Sequence, residues 1–91
     1  MHHDLKILPA FFDLVAHGSK TFEIRKNDRG YEPGDTIELR EYDLHRNPPG
    51  YTGRACSARI GFVTSFAQQP GVVVFSLLGL EQPSGVPDAG G

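Results

Sequence analysis

The densest run of chemically capable side chains is His17-Gly18-Ser19-Lys20-Thr21-Phe22-Glu23-Ile24-Arg25-Lys26-Asn27-Asp28-Arg29, in which Lys20, Arg25, Lys26 and Arg29 oppose Glu23 and Asp28. A strand repeats every two residues, so Thr21, Glu23 and Arg25 share one face, and Lys20 at the start of the run swings toward it. Arg25 and Lys20 suit a phosphate, and Glu23 suits the edge of a base. Lys26, Asn27 and Arg29 border such a site. The same groups also suit an ion-pair ladder on a solvated strand, which is common and weak. Catalysis has a narrower basis. A Lys beside a hydroxyl residue activates it as a nucleophile, and Lys20, Thr21 and Glu23 form such a set. Neighbours along a strand point to opposite faces, however, so contact between Lys20 and Thr21 requires an irregular junction.

The remaining candidates are weaker. His2 and His3 read as ligands or as an expression remnant, His17 as a helix-end residue and His45 as a loop residue; their spacing matches no zinc pattern, so neither metal nor cofactor is expected. Tyr31, Tyr42 and Tyr51 suit stacking on unpaired bases, or the rim of a small barrel. The chain holds no glycine-rich phosphate loop, nucleophile elbow or dinucleotide fingerprint. A lone cysteine, Cys56, cannot form an internal disulfide and fits a reducing cytoplasm.

The elements that must position these residues follow from periodicity. Asp4 to Leu8 alternates with Leu5 and Ile7 on one side, the period of a half-buried strand. Pro9 suits a first helical turn, Phe11, Phe12, Leu14 and Val15 make an apolar stripe, and Gly18 supplies a left-handed stop, which predicts a helix over 9–17. Thr21 to Lys26 reads as a second strand with Phe22 and Ile24 toward the core. Glu32-Pro33-Gly34-Asp35 has Pro and Gly at the centre of a type II turn. A third strand over 36–43 turns Ile37, Leu39 and Glu41 inward, and an inward Glu needs a partner. After a loop over 45–53, a fourth strand over 54–66 carries Cys56, Ala58, Ile60 and Phe62 in phase. The run from Val72 to Leu78 predicts a strand buried on both faces. The fold expected is mainly β (α+β), a small β-barrel of about five strands with one main helix, closed so that no sheet edge stays exposed.

The 91 residues carry nine Lys and Arg against eleven Asp and Glu. Such a length holds one core. A single domain is expected over 1–80, with 81–91, rich in Gly and Pro, as a disordered tail. Glu81 and Asp88 lie in that tail, so the body is neutral. That excludes a non-specific duplex coater, whose affinity rests on releasing many counterions, and leaves local recognition. No run approaches a membrane span, so no membrane partner is expected.

In order, His3-Asp4-Leu5-Lys6-Ile7-Leu8-Pro9, the junction from Gly18 to Arg29, Pro33-Gly34-Asp35 and Leu39-Arg40-Glu41-Tyr42-Asp43 resemble a family of small ASCH/PUA-like domains of unknown function in bacteria and phages. The resemblance spans about His3 to Leu78. It implies a PUA-like barrel and an association with RNA. It also implies that the Gly-x-Lys segment, Gly18 and Lys20 here, is similar to a stretch lining a cleft between helix and barrel, the proposed site for RNA or a nucleotide. Lys20, Glu23 and Arg25 then form the site, and Glu41 finds a cationic partner there. Some relatives are similar to a small amidohydrolase of N4-acetylcytidine that uses a Lys, a Thr nucleophile and a Glu. Here the Lys matches Lys20, Glu23 occupies the place of the Thr, and 66–72 is too short for the insert that brings the acid. An accessory domain for a protein partner is the third reading.

Overall fold

The computed structural model describes residues 1–81; the expected tail lies outside the described residues except for Glu81. The element order is β1 (His2–Ile7), α1 (Pro9–Ala16), β2 (Phe22–Lys26), β3 (Thr36–Asp43), β4 (Gly50–Thr64) and β5 (Val72–Leu78). The five strands form one curled sheet in the order β1-β3-β4-β5-β2. β1 runs parallel to β3, and the other neighbours are antiparallel. The protein is mainly β with one short helix, a barrel-like α+β fold.

The barrel does not close through its backbone. Its edge strands, β1 and β2, meet at a seam bridged by arginines: Arg25 Nη2 donates to the Lys6 carbonyl at 2.7 Å and Arg29 Nη1 to the Asp4 carbonyl at 2.9 Å. Side chains therefore cover part of the edge that a fifth strand pairing, β1 with β2, would otherwise occupy.

Alternation set most of the packing. Leu5 and Ile7 of β1, Ile37 and Leu39 of β3, Cys56, Ala58 and Ile60 of β4, and Val73 and Phe75 of β5 point inward, with Phe12 and Val15 of α1 sealing one end. Pro9 occupies the first turn of α1, and Gly18, at φ +79°, lets the chain leave it; the amides of Ser19 and Lys20 both donate to the Leu14 carbonyl. The β3 turn forms as the Pro-Gly pair requires, with Gly34 at φ +91° and the Asp35 amide donating to the Glu32 carbonyl.

Five expectations are corrected. In β2 the phase is reversed: Glu23 is buried, while Phe22 and Ile24 face solvent. In β5 only the Val73 and Phe75 face is fully buried, because no layer covers the outer face. A bulge between Ile60 and Val63 turns Phe62 outward instead of leaving it in phase with Ile60. Gly50 to Gly53, expected in a loop, opens β4 and pairs with the end of β3. His3, read as a ligand or a remnant, continues the inward phase of β1: it is buried, donates from Nε2 to Asp35 Oδ2 at 2.9 Å and lies edge-on to Tyr31. His2 stays exposed between Thr36 and Asp4.

Candidate nucleotide cleft at the barrel seam

The seam opens into a cleft of about 350 Å³ lined by Lys6 and Ile7 from β1, Leu8 at the start of α1, Phe11 from α1, and Lys20, Glu23, Ile24 and Arg25 from β2 and its approach. Two structural choices build it. Phe11, one turn before the buried Val15, sits at the rim of the buried stripe of α1, 48% exposed, and lines the cleft there. An edge strand facing a seam can turn a charged residue inward, because its neighbours there are polar side chains rather than a packed core.

Glu23 is the pivot, only 3% exposed. Its Oε2 accepts from Lys20 Nζ, and its Oε1 accepts from Arg25 Nε at 3.0 Å and Nη2 at 2.8 Å. Lys20 also donates to the Phe22 carbonyl at 2.9 Å and lies near the Phe22 and Phe11 rings, 5.1 and 5.6 Å from their centroids. Two cations on one buried carboxylate leave the cluster a net positive charge, and Lys6 adds another. The cleft thus combines a cationic wall with apolar surface from Leu8, Phe11 and Ile24. An anion bearing a flat apolar ring has both halves of its chemistry met there.

Beyond Lys6 the outer surface continues into an aromatic pair. Tyr42 and Tyr51 face each other across β3 and β4 with ring centroids 5.1 Å apart, Lys6 Nζ lies 4.4 Å from the Tyr42 ring, and the Arg40 guanidinium lies 4.3 Å from the Tyr51 ring. Tyr31, by contrast, is packed in the core against Phe75, and burial raises its phenol above the ordinary range.

Of the residues singled out in the sequence, Lys20, Glu23 and Arg25 meet in the cleft. Thr21 is exposed and does not line it. Lys26 is exposed at the end of β2, Asn27 accepts from the Tyr31 amide at 3.1 Å, and Arg29 bridges the seam lower down; none of the three lines the cleft. Glu41 does not face the cleft cations. Its partner is Arg54, which donates from Nε and Nη2 to the two Glu41 oxygens at 2.8 and 2.7 Å and from Nη2 to Asp13 of α1 at 2.8 Å; Thr52 Oγ1 adds a bond of 2.6 Å. The Arg54 bonds hold the Glu41 carboxyl below its ordinary value, and the same pairing raises the Arg54 guanidinium. This network ties the helix to the sheet. The inward phase of Arg54 was legible, since it matches Cys56, Ala58 and Ile60, but its register against Glu41 was not. Lys6 and Phe11 carried no such signal, because the sequence does not say that β1 and β2 become the two lips of a seam.

Burial pushes the Cys56 thiol up to about 11, so it stays protonated at neutral pH. No group of three or more His, Cys, Asp or Glu gathers in a metal-holding arrangement among the described residues, and no described helix is long and apolar enough to cross a membrane.

Comparison with known proteins gives the chain a family. The family described as "Domain of unknown function (DUF3850)" matches residues 2–77. The chain belongs to the DUF3850 family. The match contains every residue of the cleft and of the Arg54 network. A protein of Escherichia phage P2, "Uncharacterized 12.9 kDa protein in GpA 3'region", is similar to this DUF3850 chain: 43% identical over 65 residues, 71% of this chain and 56% of the phage protein. The DUF3850 chain thus spans little more than half of that relative's length.

Proposed function

We propose that this DUF3850 domain is a non-enzymatic recognition module for RNA or a nucleotide, binding a short single-stranded feature at the seam. The observation that carries the reading is the Lys20–Glu23–Arg25 cluster beside apolar Leu8, Phe11 and Ile24 in one cleft. Glu23 acts as the orienting group: both its oxygens are already engaged, so it fixes two cations in place for a phosphate rather than reading a base edge itself. A base rests on Phe11 and Ile24, and the next one along the strand reaches Tyr42 and Tyr51 past Lys6. The resemblance to ASCH/PUA-like domains supports the same reading, as does the cleft's place between helix and barrel. A reducing cytoplasm is the compartment that suits it.

An N4-acetylcytidine hydrolase or similar enzyme gains no support from the geometry. Lys20 spends its hydrogen bonds on Glu23 and the Phe22 carbonyl, and Thr21 lies outside the cleft.

The test is titration of a mixed single-stranded RNA pool at two salt concentrations. Each phosphate contact contributes a slope of roughly −0.7 for single strands. The Lys20→Ala/Arg25→Ala double variant is expected to bind at least tenfold more weakly, with a slope shallower by about 1.4, the loss of two such contacts. Equal affinity and slope for wild type and variant would sink the reading.

A further inference from the structure

The reversed phase of β2 has a second product on the outside of the barrel. Cross-strand register places Phe22 beside Ser76 and Ile24 beside Val74, with Thr64 on the other side of Val74 and Arg59 beside Leu78. The bulge sets both Gly61 and Phe62 opposite Ser76, and the Phe62 amide donates to Ser76 Oγ at 2.9 Å. A Cβ on Gly61 would lie 2.7 Å from Leu78 Cδ1, so Leu78 lies directly over that glycine. Phe22, Ile24, Phe62, Val74 and Leu78 therefore form one continuous apolar face across β2, β5 and β4. Phe22, Ile24, Phe62 and Leu78 are 41, 54, 66 and 52% exposed, and Phe66, just beyond β4, is 84% exposed.

From the interface propensities of such a face, and from its lack of charge, we infer that it is the contact surface between two copies of this chain, joined about a two-fold axis. Two observations select a second copy over other occupants. The first is charge. No charged residue occurs from Ile60 to Leu80, and the nearest cations on this face, Lys26 and Arg59, sit at its ends. A two-fold contact lays a surface against itself, so an uncharged apolar centre meets no like-charge repulsion. Nucleic acid is disfavoured on the same ground, since a face without central cations has nothing to neutralise phosphates. The second observation is area. With roughly 150–250 Å² per aromatic side chain and a little less per aliphatic one, these exposures leave about 400 Å² of apolar surface, and about 550 Å² with Phe66. A standard interface covers about 800 Å² on each partner, and near two-thirds of its core is apolar. The patch supplies that apolar share.

The contact has a bearing on the seam. Ile24 belongs both to the patch and to the cleft wall, and Phe22 lies beside Lys20. A second copy seated on the patch therefore sits next to the cleft without filling it. The inference does not depend on the ligand reading, although the two share Ile24.

Light scattering after size exclusion, with the full chain over two decades of concentration, tests it. The expected result is twice the chain mass, held at high salt because apolar burial drives the contact. Phe62→Lys and, separately, Leu78→Lys set a cation inside the apolar contact and are expected to halve that mass with unchanged far-ultraviolet circular dichroism. Glu38→Lys on β3, away from the patch, is expected to remain a dimer. A wild type that stays monomeric throughout, or a folded Phe62→Lys and Leu78→Lys that both keep the dimer mass, would overturn the inference.

Discussion

Replacing Arg54 with Met separates the charge of the Arg54 network from its packing. Met keeps an apolar stem against Phe12, whose ring centre lies 4.5 Å from the guanidinium carbon, but deletes every donor to Glu41 and Asp13. Removing one partner of a buried ion pair costs about 3–5 kcal/mol because the other charge is left stranded. The Arg54 side chain is 30% exposed, so water reaches part of the site, and a loss of about 2–3 kcal/mol at pH 7 is expected. For a domain of this size that is a fall of about 10–20 °C in Tm. The pH dependence carries the sharper sign. In the wild type Glu41 titrates below its ordinary 4.5, so its contribution is fully present above that value and is lost as pH falls through the lower native pKa. In Arg54→Met the buried carboxylate has no cation and its pKa moves up, so the folded state takes up a proton before the unfolded one, and acidification relieves the stranded charge. The gap between wild type and variant should therefore narrow from pH 7 to pH 4, measured as urea midpoints. Adding Glu41→Gln should recover much of the loss, the coupling expected of residues in direct contact. A gap of the same size at both pH values, or no recovery in the double variant, would refute the reasoning.

Two further outcomes follow from the structure. Asp35, held at about 2 first by the His3 hydrogen bond and then by the amino group of Met1, contributes stability that is present above its ordinary 3.8 and lost as pH falls toward 2; Asp35→Asn should flatten this acid limb in a pH series of thermal melts. Gly61→Ala sets a Cβ 2.7 Å from both Leu78 Cδ1 and Ser76 Oγ, so Leu78 must change rotamer, and a loss of about 1 kcal/mol by urea denaturation is expected, against none if Leu78 moves freely.

Much of the fold was legible because alternation and punctuation agree in β1, α1 and β3. Leu5 and Ile7, Pro9 and Gly18, and Ile37 with Leu39 each have one consistent reading, and Glu41 inherits its inward position from its strand mates. β2 shows where that logic stops. The two-residue period is correct, but the choice of face assumed that apolar means inward. Phe22 and Ile24 point outward because β2 ends the sheet: its inner side borders a seam occupied by Lys20 and Arg25, and its outer side joins an uncovered apolar face. Neither condition is local, so no window of β2 contains it. The Glu41 partner was missed for a related reason. Arg54 lies on the strand that pairs with β3, and the register passes an irregularity between Arg40 and Tyr42 that only the assembled sheet defines.

The manner of closure also favours the seam as the place for the proposed ligand to enter. A barrel sealed by backbone ladders opens only by breaking several hydrogen bonds together, whereas this one is sealed along the cleft by the Arg25 bond to the Lys6 carbonyl. The Arg25 guanidinium keeps Nε and Nη2 on Glu23 when that bond is given up, so one donor can turn to a phosphate while the side chain stays oriented. Opening of that kind costs a single side-chain contact and leaves every strand pairing intact, which places it at the low-energy end of local motions. The core beneath, Phe12, Ile37, Leu39 and Phe75, stays packed while the seam exchanges partners. On the proposed reading, recognition and stability fall to different charged clusters: Lys20, Glu23 and Arg25 at the lips, where bonds can be traded, and Asp13, Glu41 and Arg54 under the helix, where they cannot.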